Sequence, residues 1–269
     1  MTRPPVALTI AGSDPSGGAG VQADLKTFSA LGAYGTTVIT ALTAQSTRGV
    51  TGVHTVAADF VAQQWHTLVD DVRIDAVKIG MLATAELADL VGSFLDERIC
   101  EHVVLDPVMV ATSGDRLLDA DAIEAVRRLL PRASMITPNL PEAGDLLDVE
   151  TAGTVPQMFE QADLLVRLGA QRVLLKGGHA GGERSVDVFV GPEGSHELSA
   201  QRVETANTHG TGCSLSSALA ALRPQRDDWL ESARDAKRWL TSALAAGDRL
   251  EVGHGPGPVH HFHQLWSER

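Results

Sequence analysis

Two cysteines, Cys100 and Cys213, are all that the 269-residue chain contains. Two distant thiols make neither a disulfide framework nor a zinc ribbon. Their natural setting is a reduced compartment. Long apolar runs are missing too. No stretch reaches the length of a membrane-spanning helix, and the apolar run in the opening MTRPPVALTIAGSDP is too short for a secretory signal. A cytoplasmic protein with no membrane partner is expected. Positive charge is scarce: 22 Lys and Arg stand against 34 Asp and Glu, for a formal net charge of −12. A nucleic-acid surface needs clustered Lys and Arg, so that class is set aside. A phosphate ligand is not, because backbone amides can hold one.

What the chain does have is alternation. Short β-rich apolar runs at residues 6–12, 37–44, 76–81, 102–108, 135–139 and 172–178 are separated by helical patterns at 59–70, 86–97, 120–130 and 157–168. Strands that are apolar at most positions are covered on both faces, as in a parallel sheet. Strand–helix alternation implies right-handed βαβ units. SVDVFVG and HELSAQRVE read as an antiparallel hairpin at one sheet edge. Two helices follow, one opening at Gly210 and one spanning about residues 227–250. HGPGPVHHFH, near the end, reads as a flexible surface tail rather than a metal site. With no internal repeat or linker, the expectation is one α/β domain over residues 1–269. It has three layers, a doubly wound and mostly parallel sheet, and an antiparallel edge. Ligands of such sheets sit outside the carboxyl ends of the strands.

The first such end opens AGSDPSGGAGVQADLK. Gly18 to Ala23 formally match a dinucleotide fingerprint. The loop after Gly12 is too long for that turn, however, and residues 40–45 offer no acid. A Walker loop fails as well, since no Gly-Lys-Ser/Thr follows. A substrate loop fits better: Asp14, Ser16 and the glycines let backbone approach a small ligand. Asp24 either points into the same cleft or is a solvated first-turn acid favoured by the helix dipole. Gln45 offers a donor and an acceptor to a flat heterocycle, or else bonds its own loop. In NTHGTGCSLSSA, the amides of Thr211, Gly212 and Cys213 would lie at a helix start, where an anion is favoured. Asp106, Asn139, Glu142 and Lys176 end three other strands or follow them closely. Two acids and an amide near a phosphate suit Mg²⁺, which takes oxygen ligands and keeps several waters. A lysine offsets phosphate charge. Metal, anion hole, cation and a base beside a hydroxyl are the parts of phosphoryl transfer.

These motifs resemble the hydroxymethylpyrimidine/phosphomethylpyrimidine kinases of thiamine biosynthesis, a branch of the ribokinase-like superfamily. The resemblance is carried by ALTIAGSDPSGGAGVQADLKTFSALGAYG, ITALTAQST, VVLDPVMVATSGDRLL, ITPNLPEA, VLLKGGH and NTHGTGCSLSSALA, and runs from about Val6 to Phe262. It implies ATP-dependent phosphorylation of 4-amino-5-hydroxymethyl-2-methylpyrimidine and then of its monophosphate. The pyrimidine would lie in the first-loop cleft, bonded by Asp24 and Gln45 and lined by Gly12, Met81 and Val108. ATP would meet Asn139 and Lys176, and Mg²⁺ would meet Asp106 and Glu142. The phosphates would sit at the turn formed by Gly210, Thr211, Gly212 and Cys213. A homodimer is implied too. The wider superfamily ends this turn with an aspartate base. Here Cys213 takes its place, and a helix N-terminus is expected to lower its pKa enough for a thiolate to act. The alternative is that Cys213 only packs and the phosphate accepts the proton. Two positions depart from the family: Thr112 where a lysine is expected, and Ser46 where an asparagine is expected. The first puts a lysine–phosphate contact in doubt. A pyridoxal kinase of the same branch is the rival enzyme reading. A non-catalytic pyrimidine sensor is the rival from another class.

Overall fold

The computed structural model describes residues 3–109, 120–178 and 182–266, without the side chains of 120–122. Thr112 therefore lies outside the described residues. The first strand, β1 (Val6–Ala11), is buried along its whole length. It leads through the glycine-rich loop into α1 (Gly20–Ala30) and then β2 (Tyr34–Ile39). A hairpin of β3 (Ala41–Ser46) and β4 (Gly49–Thr55) comes next. Then follow α2 (Ala58–Val69), β5 (Ala76–Ile79), α3 (Ala85–Asp96) and β6 (Val103–Leu105). After the undescribed stretch come α4 (Ala120–Leu129), β7 (Met135–Ile136), α5 (Leu140–Leu147), α6 (Val155–Arg167) and β8 (Val173–Lys176). The chain ends with β9 (Arg184–Gly191), β10 (Gly194–Gln201), α7 (Thr211–Leu222) and α8 (Trp229–Ala245).

The main sheet has the order β10-β9-β8-β7-β6-β5-β1-β2. The strands from β2 to β8 in that row pair in parallel, and β9 and β10 pair antiparallel at the far edge. From β1 the chain first steps outward to β2 and later returns to β5 on the other side. The crevice for a ligand in such a sheet is at this reversal, beyond the carboxyl ends of β1 and β5.

Alternation along the strands divides the core into two layers. Val103 and Leu105 of β6 pack with α2 to α6, whereas Val104 packs with α1, α7 and α8. α7 carries small residues that let it lie close to the sheet, and it is buried from Ser214 to Leu222.

Two expectations change. The run 37–44 is not one strand. β2 stops at Ile39, and buried Thr40 donates from Oγ1 to the Met81 carbonyl at 2.8 Å. Beyond Thr40 the chain leaves the sheet to form the β3–β4 hairpin. Both halves are apolar enough for strands, so the break is invisible without the Met81 partner. Nor is the histidine-rich end a loose tail. Val259, His260 and His261 are 0%, 3% and 4% exposed. Gly- and Pro-rich chain makes few hydrogen bonds of its own, but here its neighbours supply them. The Gly257 carbonyl accepts from the His209 amide at 3.0 Å, and the His260 amide donates to Ala243 at 3.0 Å.

Candidate active site

A cleft of about 600 Å³ opens at the carboxyl ends of the strands. Of the residues expected in the site, all but Asp24 line it. Gly12, Gln45, Met81 and Val108 are among its lining residues, with Met81 packed against Gly12. Asp106, Asn139, Glu142 and Lys176 form one wall, and Gly210 to Cys213 form another.

The charged wall is compact. Lys176 Nζ lies 2.8 Å from Asp106 Oδ1 and 3.9 Å from Glu142 Oε2. Asp106 also accepts from Thr137 Oγ1 at 3.0 Å and Ser216 Oγ at 3.1 Å. Burial alone would raise the Asp106 pKa, but Lys176 and Lys78 outweigh it and hold it down. Glu142 goes the other way: burial, helped by the charge of Asp106 and opposed by Lys176, pushes it up to about 7. Asn139 and Glu142 have a structural task as well. Asn139 Oδ1 accepts from the Glu142 amide at 2.8 Å, and Glu142 Oε2 accepts from the Asn139 amide at 2.7 Å. This reciprocal cap starts α5 and fixes both side chains against the cleft. Two buried acids, one of them held partly protonated chiefly by its burial, suit a divalent cation with phosphate and water as its other ligands.

The opposite wall is the start of α7. Gly210 caps it in the left-handed region, at φ 75°, with no side-chain bond. A Cβ there would sit 1.7 Å from the Gly18 carbonyl oxygen, so only glycine fits. The Thr211 amide reaches the Thr208 carbonyl at a long 3.3 Å. The Gly212 and Cys213 amides meet no acceptor among the described residues. Two donors without acceptors at a positive helix end suit an anion.

Gln45 reaches the cleft from the hairpin, not from the end of a sheet strand. A bulge between Ala44 and Gln45 shifts the register and re-aims the side chain. Its Oε1 accepts from Thr43 Oγ1 at 3.2 Å, while its amide nitrogen has no partner among the described residues. Ser46, beside it, is exposed and accepts from the Arg48 amide at 3.2 Å.

Asp24 is the misplaced expectation. It is fully buried and stands behind the cleft, between the sheet and α7. Its carboxylate accepts from Lys78 Nζ at 3.0 and 2.9 Å, Thr9 Oγ1 at 2.6 Å and Ser217 Oγ at 2.6 Å. It is neither a solvated first-turn acid nor free to meet a ligand in this arrangement. Lys78, which sequence reasoning passed over, is also 0% exposed and reaches the cleft. Burial pushes its pKa down, but Asp24 outweighs burial and holds it up. The missed signal was a lysine inside the apolar strand AVKI, since an unpaired buried charge is too costly to stand alone.

Two other groups were missed. Lys237 Nζ pairs with Asp187 Oδ2 at 2.7 Å, and both line the cleft beside Leu240 and Leu244. Asp187 also accepts from the Gly177 amide at 2.9 Å, which fixes the loop after β8. The Asp14 carboxylate is turned onto its own loop. It accepts from the amides of Ser16, Gly18 and Ala19 and lies 2.8 Å from His209 Nε2. Burial opposes its ionisation, yet these bonds bring its pKa down to about 2.

Cys213 overturns the expected thiolate. Burial pushes its pKa up to about 11, and the charges of Asp24 and Asp106 push the same way. Lys78 opposes this, but that ammonium is already paired with Asp24. At neutral pH this thiol is therefore neutral.

The sequence pattern of the phosphomethylpyrimidine kinase family matches residues 14–260. A hydroxymethylpyrimidine/phosphomethylpyrimidine kinase of Escherichia coli (strain K12) is 57% identical over 261 residues, covering 97% of this chain and 98% of that one. A thiamine biosynthesis multifunctional protein of Corynebacterium efficiens is 50% identical over 260 residues, covering 96% of this chain and 35% of that one. Among solved structures, pyridoxal kinase from Staphylococcus aureus in complex with AMP-PCP and pyridoxal has a TM-score of 0.90 at 31% identity. The match covers 98% of this chain and 96% of that one.

Proposed function

The chain belongs to the phosphomethylpyrimidine kinase family, and from that premise we propose how its residues divide the work of phosphoryl transfer. The reaction is ATP-dependent phosphorylation of 4-amino-5-hydroxymethyl-2-methylpyrimidine, then of its monophosphate to the diphosphate, in thiamine biosynthesis. One observation carries the division of roles: the free amides of Gly212 and Cys213 face Asp106, Glu142 and Lys176 within the cleft that Gln45 overhangs.

In this proposal the pyrimidine ring lies between Gly12, Met81 and Val108, and Gln45 offers its unpartnered amide to the ring edge. Asp24 supports the floor through Lys78. The transferred phosphate rests on the 210–213 turn, where the two amides and the helix end meet charge as it develops. Lys176 offsets charge on the nucleotide phosphates, with Asn139 beside it. Leu240, Leu244 and the Lys237–Asp187 pair wall the nucleotide end. Mg²⁺ held by Asp106 and Glu142 would neutralise phosphate charge when bound. Cys213 takes the hydroxyl proton as a thiolate formed only in a minority of molecules near neutral pH. The proposal includes a single domain, a homodimer and a cytoplasmic setting.

Incubation with Mg·ATP and, in parallel, the pyrimidine alcohol, its monophosphate or pyridoxal tests the reading. Both pyrimidine phosphates are expected as products, with pyridoxal turned over more slowly. Monophosphate that never proceeds to diphosphate would remove the second step and implicate Thr112. Faster turnover of pyridoxal would favour the rival enzyme.

The metal assignment has its own test. Asp106→Asn and Glu142→Gln each remove a formal charge and should raise the Mg²⁺ concentration that gives half-maximal rate. The sign with pH follows from Glu142. Its pKa is raised, so the folded enzyme holds a proton there up to about pH 7, and a cation must displace it. The parent's Mg²⁺ requirement should fall as pH rises from about 6 to 8, and Glu142→Gln should lose that slope. Magnesium titrations that match the parent in both variants would place the metal elsewhere.

A further inference from the structure

Gly210 gives α7 no side-chain cap, so the shape of the phosphate turn is imposed from outside the helix. One support is the first loop, which presses the Gly18 backbone against Gly210 and pairs Asp14 with His209. The other comes from the far end of the chain. The Gly257 carbonyl accepts from the His209 amide at 3.0 Å, and His209 and Pro258 form a parallel bridge. At Gly257 a Cβ would stand 1.9 Å from Asn207 Oδ1, so a larger residue there would have to displace the Asn207 side chain. The segment is anchored on α8 by the bond from the His260 amide to Ala243 and by fully buried Val259. It then delivers His261, whose Nε2 lies 3.0 Å from Ser214 Oγ.

Ser214 is the residue after Cys213, and its own amide closes the first turn on the Gly210 carbonyl at 2.9 Å. It is fully buried. A force on its side chain is therefore passed directly to the two free amides that precede it. Ser214 has sisters along the same helix: Ser216 ties α7 to Asp106, and Ser217 ties it to Asp24. Those two bonds hold the helix to the sheet. Among the described residues, the bond to His261 is the side-chain tie from the first turn of α7 to the C-terminal segment.

We propose that residues 257–261 form a strap that positions the phosphate turn, with His261 its positioning residue, acting through Ser214. The inference rests on the reading that this turn holds the transferred phosphate. Burial, aided by Lys26, pushes the His261 imidazole down to about 3. The ring is thus neutral at working pH and sets no competing charge beside the phosphate.

The test is kinetic. His261→Leu and Ser214→Ala are each expected to lower kcat by about 10–100-fold, because displacement of catalytic groups by about 1 Å has costs of this order. The KM for the pyrimidine alcohol should stay within about two-fold, since the ring binds elsewhere. His261→Gln places an amide near the position of Nε2 and should restore most of the rate. The double variant should be no worse than the poorer single one, because both remove the same bond. Gly212→Asp, which puts a like charge into the turn, serves as the control for the turn itself. If Gly212→Asp lowers kcat while His261→Leu and Ser214→Ala do not, the strap has no positioning role. If all three leave kcat unchanged, the turn does not hold the phosphate and the inference falls with that reading. Losses that multiply in the double variant would also overturn it, since the residues would then act separately.

Discussion

Replacing Cys213 by serine is expected to lower turnover by about 10²–10⁴-fold, the usual worth of a general base. Serine keeps the backbone amide of the turn and nearly the same volume, so both substrates should still bind. Its hydroxyl is a far weaker acid than the thiol and cannot supply the anion. The decisive measurement is the pH dependence of kcat/KM, which reports the free enzyme. A base must be deprotonated to act. Burial holds this thiol up to about 11, so only on the order of one molecule in 10⁴ carries the thiolate at pH 7. The parent's kcat/KM should therefore climb almost tenfold per pH unit between about 7 and 9. Cys213→Asp brings a carboxylate of much lower pKa to the same place. It should recover part of the rate lost in Cys213→Ser and show a flat profile over that range. A parent profile that is already flat, or a serine variant within a few-fold of the parent, would remove the thiolate from the mechanism. The two free amides, Lys176 and the cation would then carry the reaction, with the phosphate itself taking the proton.

The second large effect is on stability. Asp24→Asn should cost about 3–5 kcal/mol, because it leaves the Lys78 ammonium buried without a counter-charge. Both side chains are 0% exposed, so no water is at hand to solvate the survivor. For a chain of this size that loss corresponds to a fall in Tm of roughly 6–20 °C. Asparagine keeps a single acceptor oxygen, so it can still accept from Thr9 or from Ser217 but not from both, and its amide nitrogen cannot accept from Lys78. The companion variant, Asp24→Asn with Lys78→Met, removes both charges and should recover most of the lost Tm. Buried pairs replaced as a unit are often neutral in stability. A single variant that melts within about 2 °C of the parent would show that Lys78 is neutral in the folded protein, or that water reaches it.

Much of the architecture could be read from local pattern. Unbroken apolar runs such as VALTIA need cover on both faces, and that requirement forces helices onto both sides of a parallel sheet. Polar residues at the ends of such runs stand out for the same reason, which is how Asp106, Asn139 and Lys176 were found. Gly210, Thr211 and Gly212 were legible because a glycine-rich helix start exposes amides whatever surrounds it. Lys78 was legible in principle, as a charge within an apolar strand, but its partner was not.

The sequence by itself thus determined the α/β class, the ends of the strands where chemistry gathers and the amide-lined turn. Each follows from properties within a dozen residues of the feature. Tertiary structure alone decided where β2 breaks, that Asp24 faces Lys78 instead of the cleft, and that His261 meets Ser214. It also decided that the Cys213 thiol is raised rather than lowered. These depend on groups 41, 54, 47 and more residues apart in the chain. A side chain's pKa and partners are set by everything within a few ångströms of it, and the sequence orders residues along the chain but does not say which distant ones will share that space.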